Sequence, residues 1–318
     1  MRRAYGSAAL AVLLVTGCSS GGGGGATARP SGATLWLLGT TTLTRLSAAG
    51  VASGSVPVTN GAAVAARGDV VWVATTDGSL LRIDPASLAV EATLRTGDKS
   101  TAKHALSIAP DGTTYACDPQ NGLYRVAAGS DRAEHIALGP NVFKTDKTCQ
   151  AVAATESVVW VDESNGPGSE LWRLDPASGA LTQVTEEPVP ADRLYVLGED
   201  VVTSCDCQGD LLRVKPDGTS TFLVGGPVTG VAPVVDGTWF AIAKGLVYVD
   251  PGRDFLGTAV ELEGENGKVR LADGDGYLYA AGDNVHRIDP LTGEASVLVA
   301  GPQNGGFDTV DLALARGA

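Results

Sequence analysis

Short apolar runs broken by Gly, Asp and Pro follow one another along the chain from residue 34 onward, and none sustains the 3.6-residue period of an amphipathic helix. Runs such as "DVVWVAT" (69–75), "SVVWVD" (157–162) and "GYLYAA" (276–281) are rich in β-branched and aromatic residues. Their apolar positions are consecutive, as in strands covered on both faces. After each comes nearly the same phrase: "SLLRIDPASL" (79–88), "ELWRLDPASG" (170–179) and "NVHRIDPLTG" (284–293). In the second copy Leu171 and Arg173 fall on one face of a strand, Trp172 and Leu174 on the other. Asp175 and Pro176 suit the first two positions of a type I turn, and Gly179 can take the positive φ that reverses the chain. The phrase therefore predicts a strand and a hairpin leading into a β-rich run such as "ALTQVT" (180–185) or "EASVLVA" (294–300). Runs ending in a turn, such as "ALSIAPDG" (105–112) and "VRLADGDG" (269–276), precede the unit, which then reads as four strands a, b, c and d with the phrase as c.

Aligned on the phrase, its Arg position recurs at Arg45, Arg82, Arg125, Arg173, Arg213, Tyr248 and Arg287. A period of about forty residues with four strands per unit is the mark of a propeller blade. The first unit (34–58) has no strand a before it, and "DTVDLALARGA" (308–318) is a strand a with nothing after it. Pairing the two closes a ring without an open edge. The expectation is an all-β, seven-bladed β-propeller over 34–318 whose C-terminal strand closes the first blade, with six or eight blades if one irregular unit is miscounted. A side chain repeated in nearly every blade is expected to be structural, so the Arg should pack its stem on the next blade and pair its head at the rim.

The stretch "VVWVATTDGSLLRIDPASLAVEATLRTG" (70–97) resembles a YVTN-type propeller repeat, and the units are similar to NHL repeats and to the quinoprotein-like "DGxLyxLDxxTG" pattern. The resemblance covers residues from about 34 to the C-terminus and implies fold more than chemistry. The Trp that ends each quinoprotein repeat is missing here, which argues against a quinone cofactor. Families of this kind include surface binding scaffolds, outer-membrane assembly lipoproteins, gluconolactonase-like hydrolases and streptogramin-type lyases.

The first residues read differently. Arg2 and Arg3, then an apolar stretch from Ala8 to Val15, have the form of an export signal and are too short to span a membrane. "VTGC" (15–18) resembles the lipobox of bacterial lipoproteins. That resemblance implies a signal peptide over 1–17, acylation of Cys18, a Gly/Ser linker over 18–33 and an extracytoplasmic, membrane-anchored domain at the cell surface or on the periplasmic side. An ordinary secretory signal with a chance cysteine is the alternative. The formal net charge is −13. Loss of residues 1–17 would remove two arginines and no acid, making it more negative still. Such a surface repels phosphate backbones and weighs against a nucleic-acid partner. The domain is expected to be monomeric.

Antiparallel order places every b-to-c and d-to-a loop on one face of the disc, and the distinctive residues gather there. The candidate ligand-binding residues are His104, Asp118, Asn121, Lys144, Asp162, Glu163 and Asp206. The opposite face consists mainly of repeated DG and DP turns. In an oxidising compartment the four cysteines after Cys18 are expected to pair. Cys117 ends strand b of the third blade and Cys149 begins strand a of the fourth, so these two are predicted to be joined, with a small Cys205–Cys207 ring in the fifth blade. His135 and His286 fall in repeated strands and read as structural or exposed, leaving His104 as the histidine placed for acid-base work. No GxSxG, HExxH, P-loop or EF-hand motif occurs.

Two functions fit these features. The favoured one is a non-enzymatic, cofactor-free module whose loop face binds a protein or a cell-envelope component. The alternative is a hydrolase or lyase using one divalent metal such as calcium, held by some of Asp118, Asn121, Asp162, Glu163 and Asp206, with His104 as base.

Overall fold

The computed structural model describes residues 32–96, 105–119, 122–138, 148–164, 169–185, 191, 193–204, 210–225, 228–234, 237–242, 245–249, 256–263, 265, 269–274, 276–301 and 309–315. The regular structure among them is entirely β. Seven four-stranded antiparallel sheets form the ring of a seven-bladed β-propeller. Blades 2 to 7 are each continuous in sequence: 61–95, 105–136, 148–185, 193–225, 228–261 and 270–299. Blade 1 is composite. Strands Thr34–Gly39, Thr42–Ser47 and Ala52–Pro57 supply b, c and d, and Thr309–Ala315 supplies the inner strand a, paired antiparallel to Thr34–Gly39 from Thr34↔Ala315 to Leu38↔Asp311. The closure expected from the two chain ends is therefore the one observed.

The apolar pattern of strand b now has its reason. Buried residues fall into seven clusters, one in each seam between neighbouring blades. Strand b feeds two seams at once. In blade 4, Val159 and Val161 pack toward blade 3, whereas Trp160 packs toward blade 5. Both faces must be apolar, so no alternation survives in the sequence.

The repeated phrase is strand c and its hairpin. Gly179 N–H donates to Asp175 O (2.8 Å) and Asp175 N–H to Ala180 O (2.9 Å), while the Asp175 carboxylate accepts from the Ala177 amide (2.8 Å). The hydrogen bond closing the loop thus spans five residues, one longer than the simple type I turn expected. Bonds from the Ser178 side chain and the Ala177 and Ser178 amides hold the Asp175 carboxyl below its usual range. Gly179 sits at φ 73° and Gly293 at φ 74°, but blade 2 places Leu88 there at φ 61°. Leu88 keeps this backbone because its side chain packs into the space left by Gly54, where any Cβ would collide with it. Around Gly179 that space is open. Gly179→Ala should therefore cost only the left-handed backbone penalty, about 1 kcal/mol, whereas Gly54→Ala should cost more by displacing Leu88; urea unfolding midpoints of the two variants compare them.

The recurrent Arg stands directly opposite an aromatic of strand b: Trp36↔Arg45, Trp72↔Arg82, Tyr115↔Arg125, Trp160↔Arg173 and Tyr279↔Arg287. The Arg173 guanidinium lies 5.9 Å from the Trp160 ring centroid. Its Nη1 donates to Pro216 O in the c-to-d turn of blade 5 (3.0 Å), as Arg82 does to Ser130 O of blade 3 (3.4 Å) and Arg45 to Pro85 O of blade 2. Arg45, Arg82 and Arg173 thus fasten a turn of the next blade with their heads, as expected, while the Arg173 guanidinium lies beside an aromatic of its own blade, where packing on the next blade was expected. Blade 6 replaces Arg with Tyr248, whose ring packs 5.3 Å from that of Trp239.

Candidate functional site

The face made by b-to-c and d-to-a loops lies where each strand b ends. Of the residues singled out there, Asp118, Asp162 and Glu163 are described, and all three are 0% exposed. They do not converge. Asp118 shares the side of Ala116, toward blade 2, and accepts a hydrogen bond from Thr96 Oγ1 of that blade (3.1 Å). Glu163 shares the side of Val161 and stands opposite Cys149, toward blade 3. Asp162 shares the side of Trp160, toward blade 5. Three buried carboxylates thus lie in three successive seams beneath this face. Among the described residues no group of three His, Cys, Asp or Glu side chains is arranged to hold a metal ion. His104, Asn121, Lys144 and Asp206 lie outside the described residues, as do Cys18, Cys205 and Cys207.

Cys117 and Cys149 form a disulfide across the seam between blades 3 and 4, with Cα atoms 5.2 Å apart and both side chains at 0% exposure. The prediction from strand ends succeeds because both termini lie at the same edge of adjacent blades. The bridge closes a loop with a sequence separation of 32. Chain entropy puts its contribution at about 3–4 kcal/mol. Replacing both cysteines by Ala should lower the unfolding free energy by that amount in urea titrations, with the far-UV spectrum unchanged.

His286 sits on the same face, and sequence reasoning undervalued it. It is 1% exposed, and its Nε2 lies 3.0 Å from Glu265 Oε1. Glu265 comes from the loop joining blades 6 and 7 and also accepts from the amides of Asp283 (2.7 Å) and Asn284 (2.8 Å) in the b-to-c turn of blade 7. Burial pushes the Glu265 carboxyl up, but the bond from His286 and the two amides outweigh it and hold the group below its ordinary value of 4.5. An ionised carboxylate only accepts, so Nε2 carries the proton of this bond. The other histidine in a repeated strand, His135, packs its ring edge-on to Tyr124 at 5.2 Å.

The central channel, lined by the inner strands, is crossed by a side chain. Arg193 opens strand a of blade 5, and its Nη1 lies 2.8 Å from Asp311 Oδ1 on the inner strand of blade 1. Asp311 Oδ2 also accepts from the Val64 amide of blade 2 (3.0 Å). Arg270, which opens strand a of blade 7, donates to Thr229 O of blade 6 (2.6 Å) and to Val310 O of blade 1 (3.4 Å). Inner-strand edges carry backbone groups that face the channel rather than another strand. These side chains, with Thr229 on Val269 (3.0 Å to O) and Ser107 accepting from the Ala154 amide (2.9 Å), satisfy part of that edge. The residues that close the channel had no repeat to flag them, since each occurs once.

The opposite face holds a cleft of about 820 Å³ between blades 2 and 3, lined among others by Trp72, Arg82, Asp84, Glu91 and Asp111. Its charges are engaged locally: Arg82 pairs with Glu91 (2.9 Å), Asp84 with the Ala86 amide (2.8 Å) and Asp111 with the Thr113 amide (2.8 Å).

No family profile and no curated protein sequence matches the chain. Solved structures do. Apo AztD from Citrobacter koseri is similar at a TM-score of 0.66 and 10% identity over 91% of this chain and 99% of that one. Hydrazine synthase from Kuenenia stuttgartiensis is similar at 0.61 and 15% identity over 83% and 94%. The dihydro-heme d1 dehydrogenase NirN, in complex with DHE, is similar at 0.57 and 14% identity; the match takes in 83% of this chain and 63% of that longer one. At such identities the likeness is one of fold, and it agrees with the seven-bladed propeller described above.

Proposed function

We propose that this protein is an extracytoplasmic binding module, held at a membrane through Cys18, that presents its b-to-c and d-to-a loop face to a protein or cell-envelope component. The observation that carries the reading is the difference between the two faces. The a-to-b and c-to-d face is occupied by tight turns that bond to themselves and to the Arg of the preceding blade. On the other side, the segments that join strand d of one blade to strand a of the next differ in length and sequence, and the described strand ends beside them are stiffened by a disulfide and by the Glu265 network. A rigid scaffold with varied loops on one face is the usual arrangement of a recognition surface. The disulfide also supports an oxidising compartment.

The metal-dependent alternative has less support, because the described members of its ligand set, Asp118, Asp162 and Glu163, lie in separate seams. Crosslinking on intact cells tests the binding reading. Capture of a partner that is lost on Asp77→Arg, in the b-to-c turn of blade 2, and kept on Asp217→Arg, in the c-to-d turn of blade 5, would support it. Capture weakened only by Asp217→Arg would place the contact on the wrong face and end it. Palmitate labelling that survives Cys18→Ala would end the anchoring part.

A further inference from the structure

The foot of the seam between blades 1 and 2 holds a cavity of about 330 Å³. Trp36, Arg45, Ser47 and Ser53 of blade 1 line it, with Gly68 and Pro85 from turns of blade 2. Among the described residues no Asp or Glu belongs to its wall, although the chain carries a formal charge of −13. Arg45 Nε donates to Ser53 Oγ (2.7 Å), Nη2 to Ser53 O (3.2 Å) and Nη1 to Pro85 O. All three acceptors are neutral. A guanidinium has further N–H groups to offer, so its charge is uncompensated and part of its fork is unused.

Blade 2 shows that the missing counter-charge is particular to blade 1. In both blades strand d bulges beside the recurrent Arg, between the pairs Arg45↔Gly54 and Leu46↔Ala52 in one and Arg82↔Ala92 and Ile83↔Val90 in the other. The extra residue is Ser53 in blade 1 and Glu91 in blade 2. Glu91 pairs with Arg82 (2.9 Å), and Asp69, Asp84 and Asp111 add to the acidic wall of the cleft there. A serine hydroxyl at the same place leaves Arg45 its full charge. Directly across the ladder from Arg45, Trp36 is 0% exposed and its indole Nε1 is buried without an acceptor. The cavity thus carries donors and a cation where its neighbour carries acids.

We propose that this cavity is a binding site for a small organic monocarboxylate. One uncompensated guanidinium matches one negative charge, and its planar fork suits the two oxygens of a carboxylate. The Trp36 N–H is a further donor on the same wall. Ala33, Leu46 and Ala315 offer apolar surface for the rest of the molecule. The volume lies at the low end for small-molecule sites, which limits the ligand to a compact one. The site is on the a-to-b and c-to-d face, apart from the loop face, and does not depend on the binding partner proposed above.

Proton–nitrogen correlation spectra of the isotope-labelled whole protein test this, with benzoate as the probe. The chain has five tryptophans, and the indole resonance missing from Trp36→Phe identifies the site. Benzoate should shift that resonance with half-saturation at about 1 mM. The indoles of Trp160 and Trp239, at the same strand position in blades 4 and 6, should stay in place. Benzamide, of the same shape but uncharged, should bind about tenfold more weakly. Ser53→Glu gives blade 1 the carboxylate that blade 2 has in Glu91, and should remove benzoate binding while the urea midpoint is kept. Arg45→Met should remove it too. No movement of the Trp36 resonance at about ten times that concentration, or benzamide binding as well as benzoate, would overturn the site. A benzoate shift unchanged in Ser53→Glu would overturn the role of Arg45. Inorganic phosphate competing as well as benzoate would overturn the assignment to a carboxylate.

Discussion

Deleting residues 309–318 should abolish cooperative folding. The deletion removes the whole inner strand of blade 1, and with it the ladder to Thr34–Gly39. Leu312 leaves the seam with blade 7, and Ala313 and Ala315 leave the seam with blade 2. Asp311 goes as well, stranding Arg193 and the Val64 amide. Each lost hydrogen bond is worth about 1 kcal/mol net, and each buried leucine about 1.5–3 kcal/mol. Together these rival the entire stability of a typical domain, about 5–15 kcal/mol. Near-UV circular dichroism and a urea titration should show loss of fixed aromatic packing and of the sigmoidal transition. A deletion variant that unfolds with the wild-type midpoint would mean the ring does not depend on this strand.

The second large effect is expected at Glu265. Glu265→Ala leaves His286 and the amides of Asp283 and Asn284 without their acceptor in a site where Glu265 is 2% and His286 1% exposed. Each buried donor left without an acceptor costs about 1–3 kcal/mol. Glu265→Gln, which retains one acceptor oxygen, should cost less. The pH dependence has a definite sign. The folded carboxyl titrates below its ordinary value of 4.5, so its contribution is complete above that value and is lost as pH falls through the folded one. Wild-type stability should drop below about pH 4.5, and Glu265→Ala should flatten that limb. Thermal midpoints of both proteins between neutral and acid pH measure the difference. Parallel curves would show that Glu265 is not the group responsible.

How far each feature could be read from the chain follows from whether it repeats. The Asp–Pro hairpin, the Arg that reaches the next blade and the double-faced strand b recur, so each copy checks the others. The missing strand before Thr34 and the surplus strand at Thr309–Ala315 made closure readable as well. Pairing of Trp36, Trp72, Tyr115 and Trp160 with the Arg of the next strand was equally regular. It went unseen because the residues are neighbours across a ladder and not along the chain. Single-copy features were the hardest to read. Asp118 and Glu163 follow strand b in sequence and Asp162 ends it, so all three looked like residues of the loop face, yet the ladders continue through Asp118 and through Ser164, drawing all three into the seams. Glu265 and His286 meet over a separation of 21, and Arg193 and Asp311 over 118, distances that no local pattern records.

The composite first blade also sets a timetable. Ribosomes make the N-terminal side of a chain first, so strands b to d of blade 1 emerge early and wait for Thr309–Ala315, which follows all six other blades. Through that interval the chain carries an unpaired edge and the uncovered faces of Leu35 and Trp36, the surfaces by which unfinished chains stick to one another. A ring whose first blade is completed only by Thr309–Ala315 cannot close until every other blade has been made.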